Sequence, residues 1–463
     1  MSAAVWPNPS PRSAFAERRA RLDARLSGPK VFASGLPRPR NFAHNPYPFR
    51  AESHFLYFLG ASIEGAVLVV DGSDRTALYV GPPNVDDTLW FGPKPTLEAL
   101  SSELQIAVRP LADFFVDEGA ALLPPQDAET AFFLADLVGR DVEAGGGDAL
   151  EGQDAALADA VVELRLHHDA AAIAQLRLAA SATAAAHFAG RLATRPGIRE
   201  AVVRGAMEQA ITAGGMVMAY LPIVTTRGEV LHATSSVREI APGDLLLADV
   251  GAETPEGFAG DVTRVWPASG RFSETQAALY EVVLEAQAAA ITAIAPGIRY
   301  LDVHRVAGRI TVEGLVRLGI FRGDPEDLYH RGAAALFFPH GVGHLLGLDV
   351  HDMEDLGDRA GYGPGRERLE SRGDRYLRLD RDLEPGMCVT IEPGFYQIPS
   401  LLADPVAVGD LKDAIDWKTL ERFSDVRGIR IEDDVLVTDH AAEVLTVSIP
   451  KSAEEIGGVR AVG

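Results

Sequence analysis

The stretch DLLLADVGAETPEGFAGDVTRVW, residues 244–266, contains two apolar β-type runs that each carry one carboxylate. Asp249 ends the run that begins at Leu245, and Asp261 stands just before the second run. An ionised carboxylate is costly to bury unless it is paired with a cation or bound to a metal. The stretch therefore predicts two β-strands and two acids that need a positive partner.

Two later runs repeat this pattern: MCVTIEPG (387–394) contains Glu392 and GIRIEDDVLVT (428–438) contains Glu432. Taken alone, each acid could be a structural cap or turn residue. Four converging acids would repel one another and require a cation. Residues two apart share one face of a strand, so we expect polar neighbours to steady the acids. These are Thr390 beside Glu392, Thr263 beside Asp261, and Arg430 beside Glu432.

The stretch FFPHGVGHLLGLDVHD (337–352) adds His340, His344 and His351. A single histidine is usually a core residue, but three in twelve positions, in a chain with acidic β-runs, favour a site. The glycines do not fit a dinucleotide-binding fingerprint, and no strand–glycine–helix context is evident. One imidazole with four carboxylates suits Mn, Co, Fe or Zn. Five such ligands could hold two metals, with a bridging hydroxide as the nucleophile for hydrolysis.

Composition excludes several other classes of function. The 463 residues include 43 Lys and Arg against 66 Asp and Glu, giving a formal charge of −23. This charge argues against a partner that is a nucleic acid or an anionic membrane surface. The single cysteine, Cys388, excludes an intramolecular disulfide. We find no apolar run of roughly 18–20 residues and no secretory signal core, so we expect a soluble cytoplasmic protein.

The pattern of elements predicts an α+β chain. Residues 1–160 are expected to form one mixed α/β domain, with a helix from Phe15 to Leu26 and a hairpin over AVLVVDGSDRTALYV (66–80). Residues 143–154 are expected to be a loop. Residues 155–195 contain almost no glycine or proline and predict one or two helices.

Together these residues resemble a known family. Asp249, the run Asp261-Val-Thr-Arg, His340-Gly-Val-Gly-His344, Glu392-Pro-Gly and Arg430-Ile-Glu432 are similar to the pita-bread metallopeptidases, and within them to the Xaa-Pro group of prolidase and aminopeptidase P. YPFRAESHFLYFLG (47–60) and the hairpin after it resemble that group's N-terminal domain. The resemblance implies a pita-bread catalytic domain over residues 161–463 and hydrolysis of Xaa-Pro peptide bonds in proline-containing peptides.

The resemblance also implies a metal centre with two divalent ions, Mn first, with Co or Zn as alternatives. Asp249 and Asp261 would bind one metal, with Asp261 bridging. His344 and Glu392 would complete the other site, and Glu432 would bridge both.

Further roles follow from the same resemblance. His232, in GEVLHA, would contact the substrate, and His340 and His351 would steady the scissile carbonyl and the tetrahedral intermediate. Glu392 would shuttle the proton, and Arg430 would orient ligands. Two tyrosines, Tyr220 and Tyr396, would form pocket walls, although Tyr396 could equally be a core aromatic.

The length of the substrate is the open question. The polar loop EDLGDRAGYGPGRERLESRGDRYLRLDRDLEPG (354–386) and the segment YQIPSLLADP (396–405) are similar to prolidases. Within the loop, Arg378 aligns with an arginine that grips a dipeptide's carboxylate, which suits a guanidinium. We therefore favour a dipeptidase, with aminopeptidase P as the alternative.

Two other readings remain. Some pita-bread proteins have lost metal ligands and act as non-catalytic binding modules, and a metal-free creatine-hydrolysing relative has the same fold. All five ligand positions are present here, which counts against both. The group usually forms dimers or tetramers, so the resemblance implies a homodimer or homotetramer.

Overall fold

A computed structural model of the chain describes residues 9–82, 85–117 and 119–457. The chain divides into two compact units. Unit 1 contains the chain up to Ala172 together with Met353–Ala360, and unit 2 contains Ile173–Asp352 and the chain from Gly361 onward. The domain boundary expected after residue 160 stays a prediction, because a compact unit need not coincide with a family domain.

Unit 1 contains one mixed sheet with helices around it. Its strands are β1 (Lys30–Ala33), β2 (Val67–Val70), β3 (Ala77–Val80), β4 (Ala107–Pro110) and β5 (Ala121–Leu122). Its helices are α1 (Arg12–Asp23), α2 (Ser53–Leu59), α3 (Gly72–Arg75), α4 (Val85–Phe91), α5 (Leu97–Leu104), α6 (Ala128–Val138) and α7 (Gly152–Arg165), with 3-10 turns at Leu111–Asp113 and Gly147–Ala149. The strand order is β4-β3-β2-β1-β5, with β1–β2 and β2–β3 antiparallel and the two outer pairs parallel.

Local sequence explains these elements. The hairpin expected over residues 66–80 is confirmed, since β2 pairs antiparallel with β3 and Val67 lies opposite Tyr79. The expected helix at Phe15 begins three residues earlier, at Arg12. Residues 143–154 are not all loop: they include the 3-10 turn, and α7 begins at Gly152. Helix α2 begins where the Glu52 carboxylate accepts the main-chain N–H groups of His54 and Phe55.

Unit 1 includes a short segment from far along the chain, Met353–Ala360. Asp355 lies in this segment, and its Oδ2 is 2.9 Å from Nε2 of the buried His54. On the other side of the ring, Arg165 donates to His54 Nδ1 at 2.9 Å. Leu356 is fully buried, and the main chain at Gly147 lies so close to Asp355 that a Cβ there would clash. The segment is therefore a packed part of unit 1.

Unit 2 is larger and alternates helices with short strands. Its helices are α8 (Ala170–Ala193), which begins at the end of unit 1, α9 (Glu200–Ala213), α10 (Glu274–Thr292), α11 (Tyr300–Arg317), α12 (Pro325–His330), α13 (Ala334–Phe337), α15 (Pro399–Ala403), α16 (Pro405–Val408), α17 (Trp417–Arg422) and α18 (Ala453–Gly457), with a 3-10 turn at Gly409–Asp413. Between α13 and α15 the chain enters the unit 1 segment, which contains a 3-10 turn at Glu354–Leu356 and most of α14 (Asp358–Gly361). Its strands are β6 (Val217–Met218), β7 (Ile223–Thr225), β8 (Leu245–Asp249), β9 (Ala252–Glu253), β10 (Thr263–Pro267), β11 (Cys388–Ile391), β12 (Gly394–Tyr396), β13 (Gly428–Arg430), β14 (Asp433–Val437) and β15 (Ala442–Val444). Residues 155–195, expected to form one or two helices, contain two, the greater part of α7 and most of α8.

The strands of unit 2 form small antiparallel sheets. The larger ones have the orders β10-β8-β7 and β11-β14-β15, and β12 pairs with β13. All five residues of β8 are buried, and so are those of β10 and β14. Helix α10 opens with a reciprocal capping box between Ser273 and Gln276. An apolar core that includes Leu246, Val265 and Ile429 surrounds these strands, so acids at their ends enter a poorly solvated region.

Candidate metal centre

Four acids reach one region because each stands at the end of a buried strand. Asp249 is the last residue of β8, Asp261 lies two residues before β10, and Glu392 follows β11 directly. Glu432 lies between β13 and β14. Thr263 pairs with Asp249 across the β8–β10 ladder, which brings the first two acids together. The acids that the β-type runs singled out are thus placed at neighbouring strand ends.

The imidazole of His344 lies among these carboxylates. Its Nε2 is 3.5 Å from Asp261 Oδ2 and 3.6 Å from Glu392 Oε1. Asp261, His344 and Glu432 each present one ligand atom, and these atoms all lie within 4.8 Å of one another. The spacing is longer than ordinary hydrogen bonds, so these atoms surround a point rather than contact each other directly.

The His344 ring is oriented for a ligand role. Its Nδ1–H donates to the Leu345 carbonyl at 3.0 Å, which leaves Nε2 facing the acids. Thr390 Oγ1 accepts the His344 main-chain N–H at 3.1 Å. A Cβ at Gly343 would overlap the carbonyl oxygen of Thr390 and the hydroxyl of Tyr300, so only glycine permits this close approach. Thr390 therefore steadies His344, and its role beside Glu392 stays a prediction.

The acids carry more negative charge than this site can hold alone. Burial, followed by the charges of Asp261 and Glu392, raises the pKa of Glu432 well above its ordinary range. Burial also raises the pKa of Asp249 and raises that of Glu392 to about 7, even though Arg430 opposes both. A divalent cation would remove both the repulsion and the cost of desolvation. Four carboxylates and an imidazole with its Nε2 turned inward therefore fit a metal.

Thr263 and Arg430 form a chain of hydrogen bonds beside the acids. The Thr263 hydroxyl donates to Glu432 Oε2 at 2.7 Å and accepts from Arg430 Nε at 2.9 Å. Arg430 Nη2 also donates to Asp249 Oδ2. Thr263 thus steadies Glu432 rather than its own neighbour Asp261, and Arg430 reaches Asp249. The two segments lie side by side here, since the Glu432 main-chain N–H donates to the Thr263 carbonyl at 3.1 Å.

Tyr220, which the sequence predicts to be a pocket wall, contacts two of the acids directly. Its hydroxyl is 2.6 Å from Asp249 Oδ1 and 2.6 Å from Asp261 Oδ1. The sequence analysis did not predict a role for Asp434. This buried residue accepts the Asp261 main-chain N–H at 3.2 Å. Strand alternation could have indicated Asp434, since it lies two residues after Glu432.

His340 belongs to a second polar chain. Its Nδ1–H donates to the Gly341 carbonyl at 2.8 Å, so Nε2 accepts from the Tyr396 hydroxyl at 2.9 Å. Arg430 in turn donates to the Tyr396 oxygen at 3.1 Å. Burial, and then the charge of Arg430, lowers the pKa of His340 to about 3, so the ring is neutral. A substrate group that contacts His340 must therefore replace one of these partners.

The remaining predicted residues lie at different depths. The ring of His351 is 4.2 Å from that of His344, whereas His232 is exposed in the loop after β7. Arg378 is half-buried and follows Leu377, which lies against Gly341. The three are therefore distributed from the metal ligands outward to solvent.

The comparisons with known proteins agree with this geometry. Residues 174–439 match the model of metallopeptidase family M24, and residues 15–118 match that of the aminopeptidase P N-terminal domain. The chain belongs to metallopeptidase family M24. The expected fold class, an α/β N-terminal domain followed by a catalytic domain of this family, is confirmed.

Relatives of this M24 metallopeptidase include both enzymes of the Xaa-Pro group. The Xaa-Pro dipeptidase of Homo sapiens is 32% identical over 96% of this chain and 93% of its own length. The Xaa-Pro aminopeptidase of Escherichia coli K12 is 33% identical over 96% of this chain and 97% of its own length. The solved structure of Pseudomonas aeruginosa aminopeptidase PepP superposes with a TM-score of 0.78 at 29% identity, covering 96% of this chain and 97% of that one. The resemblance to the Xaa-Pro group is confirmed, but these relatives do not separate its two branches.

A separate question is association with a bilayer. None of the helices in the described part of the chain is both long and apolar enough to cross a membrane.

Proposed function

We propose that this M24 metallopeptidase hydrolyses the bond between the first residue and proline in Xaa-Pro peptides. The single observation that carries the proposal is the convergence of five ligand-type side chains in one largely buried region. These are Asp249, Asp261, His344, Glu392 and Glu432. Both the human and the bacterial relative are named for this class of bond, which supports the substrate assignment.

The same five residues would hold two divalent ions. Asp249 and Asp261 would hold one, His344 and Glu392 the other, and Asp261 and Glu432 would bridge. Four carboxylates and one imidazole suit Mn, Co and Zn. We propose Mn as the first choice, with Co or Zn as alternatives. When bound, the metals would polarise the scissile carbonyl and supply hydroxide at neutral pH.

The protein's own groups would position the substrate and move the proton. The Glu392 side chain is 17% exposed and half-buried, so it can reach both the metal ligands and the incoming peptide. We assign it the transfer of a proton from water to the leaving amine. His351 would steady the developing negative charge, and His232 would contact the substrate from the open side. His340 would also steady the scissile carbonyl, once the substrate has replaced its hydrogen bond to Tyr396 or to Gly341.

The finer proposal is a preference for dipeptides. It is supported by Arg378, whose half-buried position next to the Gly341 region suits a residue that binds a substrate carboxylate. The alternative is aminopeptidase P activity on longer peptides, supported by the solved aminopeptidase structure described above. A homodimer or homotetramer and a cytoplasmic location also stay predictions.

A substrate panel tests these proposals. Ala-Pro, Leu-Pro, Ala-Pro-Ala and a longer Xaa-Pro peptide would each be assayed with Mn, Co and Zn. We expect hydrolysis of Xaa-Pro bonds only in the presence of metal, fastest for the two dipeptides. Faster cleavage of the longer peptides would favour the aminopeptidase. A protein that binds no metal and cleaves none of them would support the binding-module reading instead.

A further inference from the structure

Unit 2 contains a cavity of about 380 Å³ that the proposed chemistry does not use. It lies between helix α11, the α12–α13 region and residues 371–374. Four arginines line it: Arg305, Arg309, Arg331 and Arg372. Asp374 is the one acid among its lining residues. In a protein with a formal charge of −23, this concentration of guanidinium groups is unexpected.

The acids that pair with two of these arginines lie outside the cavity wall. Arg309 contacts Glu326 at 3.2 Å. Arg331 contacts both Asp410, at 3.0 Å, and Asp327, at 3.2 Å. The side chains of Glu326, Asp327 and Asp410 are 54%, 63% and 73% exposed, so water screens these pairs strongly. The positive potential that faces the cavity is therefore only partly cancelled.

The other two arginines contribute differently. Arg372 donates to the main-chain carbonyls of Val406 and Ala407, which hold the guanidinium in place without neutralising it. Arg305 lies 3.3 Å from Asp374, the acid in the wall. The lining thus has a surplus of fixed positive charge.

His304 adds an independent sign of a ligand. It is 5% exposed and lines the cavity, and its Nε2–H donates to the Gly373 carbonyl at 3.0 Å. Its Nδ1 is buried and has no hydrogen-bond partner among the residues that the structure describes. Buried polar atoms are rarely left in this state. Because Nε2 carries the proton, Nδ1 is an acceptor, so the missing group is a hydrogen-bond donor, such as the P–OH of hydrogenphosphate or the N–H of a peptide that carries the anion.

The cavity also adjoins the proposed active site. The Phe338 ring packs against His304, with ring centroids 5.5 Å apart, and against His340, with centroids 5.0 Å apart. Phe338 and Tyr329 provide apolar walls beside the arginines. A ligand with an anionic end and a small apolar part matches this lining.

We propose that this cavity is an oxyanion-binding site, occupied by a carboxylate or phosphate group that the arginines bind. A guanidinium fork suits such planar or tetrahedral anions. The carboxylate could be the C-terminal group of the peptide under hydrolysis, a source that rests on the proposed function, or the anion could be free in solution. The binding of the anion itself does not depend on catalysis.

The first experiment measures binding without turnover. The metal-free, full-length protein is titrated calorimetrically with inorganic phosphate, alongside R305Q and R309Q. Each loss of a charged donor should weaken binding by about tenfold or more. The control is R317Q, an exposed arginine at the far end of α11 that pairs with Glu285 and is not part of the lining. Absence of phosphate binding, or equal affinity in R305Q, R309Q and R317Q, would overturn the proposal.

The second experiment identifies the source of the anion. KM is compared for Ala-Pro-Ala and its C-terminal amide. If amidation raises KM in the wild type but not in R305Q, the ligand is the peptide carboxylate. If phosphate binds but amidation has no effect, the ligand is a free anion. If the wild-type protein binds phosphate but hydrolyses no Xaa-Pro peptide, the proposed function is contradicted and the anion site is still supported. Melting temperatures confirm that each variant is folded.

Discussion

The hydroxyl of Thr263 offers the sharpest test of the metal centre. Thr263 is fully buried and connects Glu432, at 2.7 Å, with Arg430, at 2.9 Å. Valine has nearly the same shape, so T263V removes the hydroxyl without opening a cavity. T263S keeps the hydroxyl and removes only the methyl group, which makes it the matched control.

The expected magnitude follows from these two contacts. A hydrogen bond to a charged group contributes about 1.5–3 kcal/mol. Loss of a group that orients a metal ligand typically lowers metal affinity by roughly 10–100-fold, equal to about 1.4–2.8 kcal/mol. We therefore expect T263V to bind Mn roughly 10–100-fold more weakly, because Glu432 loses its donor.

The assay is calorimetric titration of the metal-free protein with Mn, followed by kcat/KM on Ala-Pro. T263S should remain close to the wild type in both measurements. Wild-type affinity in T263V would refute the reasoning. So would an equal loss in T263S, since that would assign the effect to packing of the methyl group.

Three further predictions follow from the site and the core. D261A and E432A should each abolish Xaa-Pro hydrolysis and most metal binding, because each removes a bridging carboxylate; full turnover in either variant would exclude the two-metal proposal. R378A should raise KM for Xaa-Pro dipeptides much more than for Xaa-Pro-Yaa tripeptides, and equal increases would show that Arg378 does not bind the dipeptide carboxylate. Burial, and then the charge of Arg264, lowers the pKa of His187 from 6.5 to about 3. The folded protein thus excludes a proton that the unfolded chain accepts, so the free energy of unfolding should fall by up to about 1.4 kcal/mol per pH unit as pH drops below 6.5 towards 3. Urea unfolding at pH 7, 6 and 5 should show a shallower loss in H187Q, and parallel curves for the two proteins would contradict this assignment.

The positions of the acids were readable from the sequence for a simple reason. A carboxylate at the end of an apolar run is costly, and Asp249, Asp261, Glu392 and Glu432 do lie at or beside strand ends. The hairpin at residues 66–80 was also predictable, because turn residues separate two short apolar runs. Local chemistry was sufficient in these cases.

The partners of the acids could not be predicted from the sequence, because they depend on which strands lie side by side. Alternation along one strand places Thr263 beside Asp261, but the register with other strands brings its hydroxyl to Glu432. Packing between segments distant in sequence likewise brings Arg430 to Asp249 and the Tyr220 hydroxyl to two carboxylates. No local sequence pattern predicts these contacts between distant residues.

The segment Met353–Ala360 has a consequence for synthesis of the protein. A nascent chain that ends at Ala172 contains His54 and Arg165 but not Asp355, which leaves the ribosome about 180 residues later. At usual elongation rates the delay is roughly ten to forty seconds. During this delay the His54 imidazole has Arg165 and Glu52 beside it but lacks the carboxylate of Asp355, and the position that Leu356 fills is empty. A recombinant fragment that ends at residue 172 would always lack the Asp355 and Leu356 contacts. Expression of unit 1 alone therefore requires the eight residues Met353–Ala360 to be supplied as a peptide.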